Sequence, residues 1–329
     1  MEVKHLIFFK KAAELEHFTK AAEQLNVSQP FLSLTISELE KELGAPLFDH
    51  SGRNVVLNDC GKAYYQRVLN ILNELKDGQK EVLDIRKQHI SKLSFVTNVS
   101  TYMPALFALC SQCIPDLKLR QYSAKRSHLM KNILDGTADY IISSPTFTES
   151  PELESFTLLN EIGVVVFPSN HWLSKRKTVS LSELTHERFV SAAKGYGIRD
   201  VVDNYFQNLG FEPDIVIESN DVGAINDFVL EGLGIAIAPK SYALKNSRLH
   251  GHFLELDDGP VGTIGIAWKK GRYINSSDLD FLDTAVSFFR LSKARTSNLH
   301  IKSQVYLSIN FVFPDFGYPF TTVSIYSLI

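Results

Sequence analysis

Apolar residues recur at helical spacing in successive segments of the N-terminal region. Leu6, Phe9 and Ala13 are separated by three and four residues, which predicts a first amphipathic helix. A second, shorter helix is predicted with Thr19 as its N-cap, and Asn26 is a suitable left-handed residue to end it. The chain must then turn abruptly, because the next helical pattern begins almost immediately.

A third helix is predicted directly after this corner. Ser28 is a favourable N-cap, and Pro30 falls in the first turn, where its missing N–H costs little. Apolar residues at intervals of four, three and four predict one buried stripe, made of Leu32, Ile36, Leu39 and Leu43. Two short helices around a tight corner are typical of a helix-turn-helix DNA-binding motif, and equally of a helical hairpin inside a globular core. Spacing alone leaves both interpretations open.

The polar face of the third helix carries side chains that suit DNA. Gln29 can form two hydrogen bonds with an adenine edge, and Ser33 and Ser37 can bond a base or a phosphate. The helix N-terminus itself favours a phosphate group. If this helix binds DNA, the contact residues predicted here are Thr19, Lys20, Ser28, Gln29, Pro30, Phe31, Ser33 and Ser37.

A short β-hairpin is predicted between Pro46 and Asn58. Two extended apolar runs flank the turn signal Ser51-Gly52. Arg53 lies at the tip, where it can reach a backbone phosphate or the minor groove and joins the predicted DNA-binding residues. A lone exposed arginine is as often solvated without a partner. A hairpin of this size beside a helix-turn-helix has the proportions of a wing.

A single long helix is predicted from Asp59 for nearly thirty residues. Spacings of four and three alternate along a heptad seam, which consists of Tyr64, Val68, Ile71, Leu75, Gly78, Val82 and Ile85. A seam of this length outside a globular domain needs a partner helix, and the simplest partner is the same helix of a second chain. The pattern therefore predicts a homodimer, with a long helix packed on its own domain as the alternative. Gly78 weakens the seam by about 1 kcal/mol.

Short strands alternate with helices beyond Lys92, which predicts a parallel sheet with helices on its faces. Glu161 to Phe167 is a longer apolar strand, and a second strand and helix series follows it. The fold class predicted for this half is an α/β domain of two Rossmann-like subdomains, arranged as in periplasmic binding proteins. Subdomain I covers about residues 91–166 and 264–292, and subdomain II covers about 167–263.

Loops at the carboxyl ends of the predicted strands are the expected ligand site, since small molecules bind there in open α/β sheets. Hydroxyls and free N–H groups at helix starts suit a carboxylate or another small anion, and nearby cations can add charge. Each hydroxyl taken alone is more often a simple helix cap. The predicted effector-binding residues are Ser100, Thr101, Lys125, Ser127, Thr146, Ser191, Ala192, Arg199, Asp221 and Val222.

The overall charge gives no support to strong electrostatic binding of nucleic acid. The formal net charge is −3, and acidic residues outnumber basic ones within the first sixty residues. DNA binding by this chain must therefore depend on the local arrangement of side chains on one face of the N-terminal region, and not on its total charge. A single copy is expected to bind weakly, so two copies on one duplex are needed for useful affinity.

Other chemistry finds little support in the sequence. Three cysteines are too few for a secreted disulfide framework, and the start of the chain has no signal-peptide pattern, so a cytoplasmic location is expected. Cys110 and Cys113 have redox spacing but fall late in a helix pattern. Neither a metal site, nor a cofactor motif, nor a catalytic constellation is predicted, so we expect no enzyme. A small-molecule-binding α/β module or an enzyme without DNA binding is the alternative function.

The last part of the chain, residues 293–329, has a different composition. It is rich in Val, Ile, Phe and Tyr, and Asp315 is its only charged residue after Lys302. Pro314 and Pro319 interrupt the apolar run well before a membrane-spanning length, so no membrane anchor is expected. Three interpretations stay open, namely an extra strand, an aggregation-prone extension, and a sequence unrelated to the ancestral reading frame.

Many residues at fixed spacing in the N-terminal region resemble the winged helix-turn-helix of LysR-type transcriptional regulators. They are Phe9, Ala13, Phe18, Thr19, Ala21, Ala22, Leu25, Ser28, Gln29, Pro30, Ser33, Ile36, Leu39, Glu40, Leu43, Gly44, Leu47, Phe48, Arg53, Leu57 and Gly61. Two positions depart from the family pattern, since His50 replaces the usual arginine and Asn58 the usual threonine. Both departures lie in the wing and weaken its expected phosphate contacts.

The second half resembles the effector-binding domain of the same family in segments such as Leu134-Asp135-Gly136 and Glu231 to Ala236. The resemblance covers residues 1 to about 292. It implies a DNA-binding domain over 1–58, a dimerisation helix over 59–90 and an effector-binding domain over 91–292. It also implies a homodimer or homotetramer, a small effector bound between the two subdomains, and RNA polymerase as a further partner.

Overall fold

The structure is a computed structural model, and it describes residues 1–51, 54–86, 92–221 and 223–296. The predicted Arg53 and Val222 contacts and the predicted tail structure fall outside the described residues. The N-terminal domain contains three helices and a hairpin, namely α1 (Val3–Leu15), α2 (Phe18–Leu25), α3 (Gln29–Leu43), β1 (Phe48–Ser51) and β2 (Asn54–Leu57). The two strands are antiparallel. The predicted helix-turn-helix and wing are therefore both present.

The corner between α2 and α3 forms as the sequence predicts, except at its first cap. His17, and not Thr19, caps α2, because its ring Nδ1 accepts the Lys20 backbone N–H at 3.4 Å. Thr19 lies inside the first turn, so its prediction as the cap was wrong. Asn26 ends the helix with φ at 55°, and the Ser28 hydroxyl oxygen accepts the backbone N–H of Phe31 at 3.4 Å.

The predicted stripe of α3 is buried over most of its length. Leu32, Ile36 and Leu39 pack against α1 and α2 in the domain core. Leu43 is 38% exposed, so its prediction as a buried residue was wrong. It lies in the last turn, where Gly44 adopts a left-handed conformation and the chain leaves the core.

Two side chains fix the wing to the rest of the domain. The Glu40 carboxylate accepts backbone N–H groups from Leu47 and Phe48 at 2.7 and 3.3 Å. Asn58 accepts the Gly61 backbone N–H at 2.8 Å and donates through Nδ2 to the Pro46 carbonyl at 3.0 Å. Asn58 thus caps the next helix and ties both ends of the wing, so the departure from the family pattern has a structural role.

That next helix, α4 (Asp59–Ile85), has 27 residues and leads to the α/β half. Subdomain I begins with β3 (Lys92–Thr97), α5 (Met103–Cys113), β4 (Lys118–Ser123), α6 (Arg126–Leu134), β5 (Tyr140–Ser143) and β6 (Leu153–Val166). Subdomain II comprises β7 (Thr178–Val179), β8 (Arg188–Ala192), α7 (Arg199–Asn208), β9 (Asp214–Ser219), α8 (Ile225–Leu230), β10 (Ala236–Pro239), α9 (Lys240–Lys245) and β11 (Phe253–Leu256). The chain returns to subdomain I through β12 (Val261–Lys269) and α10 (Ser276–Thr296).

The main sheet is mixed, whereas the strand and helix alternation predicts a parallel one. Strand β3 is parallel to β4 and β5, but β12 is antiparallel to both β5 and β6. Strand β6 pairs with β12 from Leu153 to Ile162, and then with β10 and β11 from Gly163 to Val166. One continuous strand therefore runs through both subdomains and joins them.

Each subdomain has its own apolar core. Phe95, Tyr140 and Phe281 stack within subdomain I, while Phe189 and Phe206 centre the core of subdomain II. None of the helices in the described part of the chain is both long enough and apolar enough to cross a lipid bilayer.

Candidate functional site

The predicted DNA-binding residues that the structure describes lie at the surface of α2 and α3 and at the corner between them. Gln29, Pro30 and Ser37 are exposed on α3, and Ser33 is half-buried beside them. The remaining predicted residues within the described chain are also exposed, namely Thr19, Lys20, Ser28 and Phe31. The Ser28 hydroxyl oxygen accepts one hydrogen bond as the cap of α3, and its O–H can still donate to DNA.

Several acidic side chains of this domain are occupied by internal partners. Glu14 pairs with Lys10 at 3.4 Å and with Lys11 at 3.1 Å. Glu42 accepts the N-terminal ammonium group of Met1 at 2.8 Å. Glu40 is also occupied, through its hydrogen bonds to the wing backbone. These contacts order the acidic side chains but leave the acidic balance of the domain in place, because Glu14 occupies two lysines and Glu40 keeps its charge.

Leu34 is a surface residue of α3 that sequence reasoning missed. Its side chain is 59% exposed, although it stands in the middle of the helix. The signal was present in the spacing, since Leu34 stands outside the buried stripe. It lies four residues after Pro30 and three before Ser37, and residues at these separations share a helix face.

A cleft opens between the two subdomains. Its walls are mostly apolar, with contributions from Val99, Ile198, Val202, Ile225, Ile237 and Ile264. Four predicted effector-binding residues also line it, namely Thr101, Ser191, Ala192 and Arg199. Of the other predictions, Ser100, Lys125, Ser127 and Asp221 lie outside the lining, and Thr146 is buried with its N–H donated to the Thr263 hydroxyl at 3.0 Å.

Arg199 contributes to the cleft without offering it a free charge. Its side chain is only 5% exposed and pairs with Asp203 at 2.6 Å and with Glu218 at 3.0 Å. It also donates to the Ala192 carbonyl at 2.6 Å. Two carboxylates therefore compensate one guanidinium, so Arg199 fixes α7 to the two strands β8 and β9 and adds little positive potential.

Asn226 is a cleft residue that sequence reasoning missed. It is 5% exposed and lines the cleft from α8. Its Oδ1 atom makes no hydrogen bond to any group that the structure describes. Buried side-chain oxygens nearly always have a partner, so this atom is available to a ligand that donates a hydrogen bond.

A buried carboxylate, that of Glu161, connects side chains from the two subdomains. Glu161 on β6 accepts hydrogen bonds from the Tyr102 hydroxyl at 2.5 Å and from the Ser241 hydroxyl at 2.6 Å. Tyr102 belongs to subdomain I and Ser241 to subdomain II. Burial and then the Glu161 charge raise the pKa of Tyr102 well above its ordinary value, so its hydroxyl remains a donor.

The two long sides of α4 differ in character. On one side, Asn73 donates to a backbone carbonyl at the end of α6 at 3.0 Å, and Lys80 pairs with Asp139 at 3.0 Å. Further along the same side, Asp84 accepts the Tyr273 hydroxyl at 2.9 Å. These polar contacts attach the helix to subdomain I of its own chain.

The opposite side of α4 carries the predicted heptad seam. Four of its apolar residues are exposed, namely Ile71, Leu75, Val82 and Ile85. Tyr64 and Val68, at the start of the seam, pack instead in the core of the N-terminal domain, because this end of α4 lies against α1. The exposed apolar stripe therefore begins at Ile71, and we call these four residues the α4 stripe.

The cysteine pair has no redox geometry. Cys110 is fully buried in the core of subdomain I, while Cys113 is exposed. Burial raises the pKa of the Cys110 thiol to about 12, which suppresses the reactive thiolate. Within the described residues, His, Cys, Asp and Glu side chains form no cluster suited to a metal ion.

Comparison with known proteins assigns both halves of the chain. Residues 3–62 match the family described as bacterial regulatory helix-turn-helix protein, lysR family, and residues 92–290 match the LysR substrate binding domain. An uncharacterised HTH-type transcriptional regulator of Bacillus subtilis, YybE, is 32% identical over 295 residues, which is 88% of this chain and 99% of that protein.

Solved structures support the same fold. Full-length OxyR from Pseudomonas aeruginosa superposes with a TM-score of 0.66 at 22% identity, covering 88% of this chain and 95% of OxyR. Full-length CbnR, solved in complex with its target DNA, superposes with a TM-score of 0.51 at 21% identity, covering 88% of this chain and 100% of CbnR. With the two domain matches and YybE, the chain belongs to the LysR family of transcriptional regulators and not to an enzyme family.

Proposed function

We propose that this regulator binds DNA as a homodimer or homotetramer, and that a small molecule in the cleft controls its action. The observation that carries the proposal is the exposed surface around Gln29 and Ser33 on a well-capped α3. In helix-turn-helix proteins the N-terminal part of the second helix contacts base edges in the major groove. Two copies would place two such helices in successive grooves of a pseudo-palindromic site.

Dimerisation is supported by the two different sides of α4. Its polar side is occupied by subdomain I, whereas the α4 stripe on the other side is exposed and available to a second chain. Burying apolar side chains contributes about 25 cal/mol per Å² of area removed from water. The same stripe on two chains can pack against itself in a symmetric interface, as most homodimers do.

The effector proposed here is a small, mainly apolar molecule that carries one carboxylate or a similar anionic group. Thr101 lies at the cleft just before α5, near the positive end of that helix dipole. The Met103 N–H already donates to the Ser100 carbonyl and Pro104 has no N–H, so hydroxyl groups must supply most of the donors. Thr101 and Ser191 add hydroxyl donors. Since Arg199 is already paired with two carboxylates, hydrogen bonds and the helix dipole must carry the recognition of negative charge.

Effector binding would favour closure of the two subdomains over an open arrangement. Because α4 is fixed to subdomain I, closure would change the position of the N-terminal domains relative to each other. The consequence would be a change in DNA spacing or bend, and hence in access by RNA polymerase, within the cytoplasm.

Gln29→Ala is expected to weaken specific binding to the DNA upstream of the chain's own gene by about tenfold or more, since a bidentate base contact contributes about 1–3 kcal/mol. Binding is measured by gel shift at fixed salt, with unrelated DNA as competitor. Gln207→Ala, an exposed glutamine on α7 in subdomain II, is the matched control and should bind normally. Absence of sequence-selective binding by the wild-type protein would contradict the proposed function.

A thermal-shift screen of small carboxylates, phosphate and sulfate tests the cleft. A compound that raises the Tm of the wild-type protein should raise it much less in Thr101→Ala, because a donor at the cleft is lost. Ser111→Ala is the control, since Ser111 lies at the far end of α5 and bonds only the Phe107 carbonyl among described groups. Equal shifts in wild type and Thr101→Ala would place the effector elsewhere.

A further inference from the structure

An exposed leucine occupies the centre of the outward face of α3. Leu34 is 59% exposed, and its neighbours on the same face, Pro30 and Ser37, are exposed as well. The buried stripe, with Leu32 and Ile36, lies on the other side of the helix. Leu34 therefore makes no contribution to the core of the domain, and the fold does not explain why an apolar residue stands here.

The other apolar residue on this part of α3 behaves differently. Phe31 turns back towards α1, where its ring meets Phe8 edge-on at 6.0 Å between centroids. Lys4 covers it further, with its ammonium nitrogen 5.5 Å from the ring centroid. The Phe31 ring is thus partly covered by residues of its own domain, whereas the Leu34 side chain points outwards.

We propose that Leu34 reads thymine in the DNA major groove, by contact with the C5-methyl group. Among the four bases, only thymine presents an apolar group to this groove. The inference rests on the proposed DNA-binding role of α3 and identifies what the helix recognises. Ser37, which shares the face of Leu34, can add a hydrogen bond to a base edge or a phosphate beside this methyl contact.

The surface around Leu34 suits contact with another protein less well than contact with DNA. The face around Leu34 is otherwise polar, with Ser37 and Glu38 exposed next to it. A second copy of the chain already has a continuous apolar surface available on the α4 stripe. A single leucine among polar groups matches the major groove, where isolated methyl groups alternate with hydrogen-bonding base edges.

The test separates the methyl contact from DNA binding itself. Preferred sites are first selected by the full-length wild-type protein from a random duplex pool. Each thymine of the selected site is then replaced in turn by deoxyuridine, which lacks only the methyl group, symmetrically in both half-sites. Affinities are measured by fluorescence anisotropy at one salt concentration, because protein affinity for DNA depends steeply on salt.

At one thymine position the wild-type protein should lose about fourfold in affinity per half-site, the value expected for exposing one methyl group. Leu34→Ala should bind thymine and deoxyuridine equally at that position, while Leu34→Met should keep part of the discrimination. Ile7→Ala, an exposed apolar residue on α1, is the control and should discriminate like the wild type. Unchanged Tm values confirm that the variants fold.

The outcomes distinguish this proposal from the proposed function. Failure to select any consensus site would contradict specific DNA binding, and Leu34 would then read no DNA. A clear consensus without a deoxyuridine effect, or an equal effect in Leu34→Ala, would overturn the thymine contact alone. A change of oligomeric state in Leu34→Ala without loss of discrimination would also overturn it and would identify a contact between protein chains.

Discussion

Leu75→Lys is expected to yield a folded monomer that no longer binds its DNA site. Leu75 is 45% exposed in the middle of the α4 stripe, so the isolated chain tolerates the change. In the proposed dimer the substitution places an ammonium group in each of two apolar contact regions, at a cost of several kcal/mol per ion. Loss of the second copy then reduces DNA affinity by about 10² or more, because binding through two linked sites is lost.

The measurement combines sedimentation equilibrium, for the dimer, with anisotropy on the preferred DNA site. Gln66→Lys is the matched control, since it adds the same charge at an exposed position on the opposite side of α4. The control should remain dimeric and bind DNA normally. A Leu75→Lys protein that stays dimeric would show that the chains associate through another surface.

Asp139→Ala is expected to lower the free energy of unfolding by about 3 kcal/mol, the range for removing one partner of a buried ion pair. The carboxylate accepts the Ser94 backbone N–H at 2.9 Å and the Lys80 ammonium group at 3.0 Å. Both donors would lose their acceptor in a largely buried place. Urea unfolding measures the effect, and Asp257→Ala, at an exposed aspartate, is the control with little expected change.

The stabilisation that Asp139 provides should decrease as the pH is lowered. Burial alone raises its pKa, but Lys80, Arg272 and Lys76 together with the Ser94 hydrogen bond lower it to a net value well below the ordinary range. Because the pKa of Asp139 is lower in the folded state, its carboxylate stabilises the fold at any pH above its unfolded pKa of about 4. This contribution is lost as the pH falls below that value. The difference between wild type and Asp139→Ala should therefore be full at pH 7 and shrink below about pH 4. A difference that grows with acid would contradict the ion-pair explanation.

Local patterns in the sequence were sufficient to predict the helices of the N-terminal domain and most of their ends. The cap at Ser28, the stop at Asn26 and the stripe from Leu32 to Leu39 depend on residues within one or two helical turns. The cap at His17 was missed because histidine is rarely chosen as an N-cap, although its ring nitrogen can accept the same hydrogen bond.

Such local patterns could not predict which distant strands and side chains pair with each other. Strand alternation cannot show that β12 returns antiparallel to β6, since this depends on residues about one hundred positions apart. For the same reason the sequence could not reveal that Arg199 is neutralised by Glu218, or that Asn226 enters the cleft. Candidate loops could be found from strand ends, but which side chains remain free in them is decided by tertiary contacts.

The attachment of α4 to subdomain I has a mechanical consequence. A helix of 27 residues is about 40 Å long at 1.5 Å per residue. If Asn73, Lys80 and Asp84 hold one half of it rigidly, a tilt of subdomain I by about 5° displaces the far end by about 3.5 Å, close to the 3.4 Å rise of one base pair. In the proposed mechanism the helix would act as a lever that converts a small rearrangement around a ligand into a shift of one base-pair step on DNA.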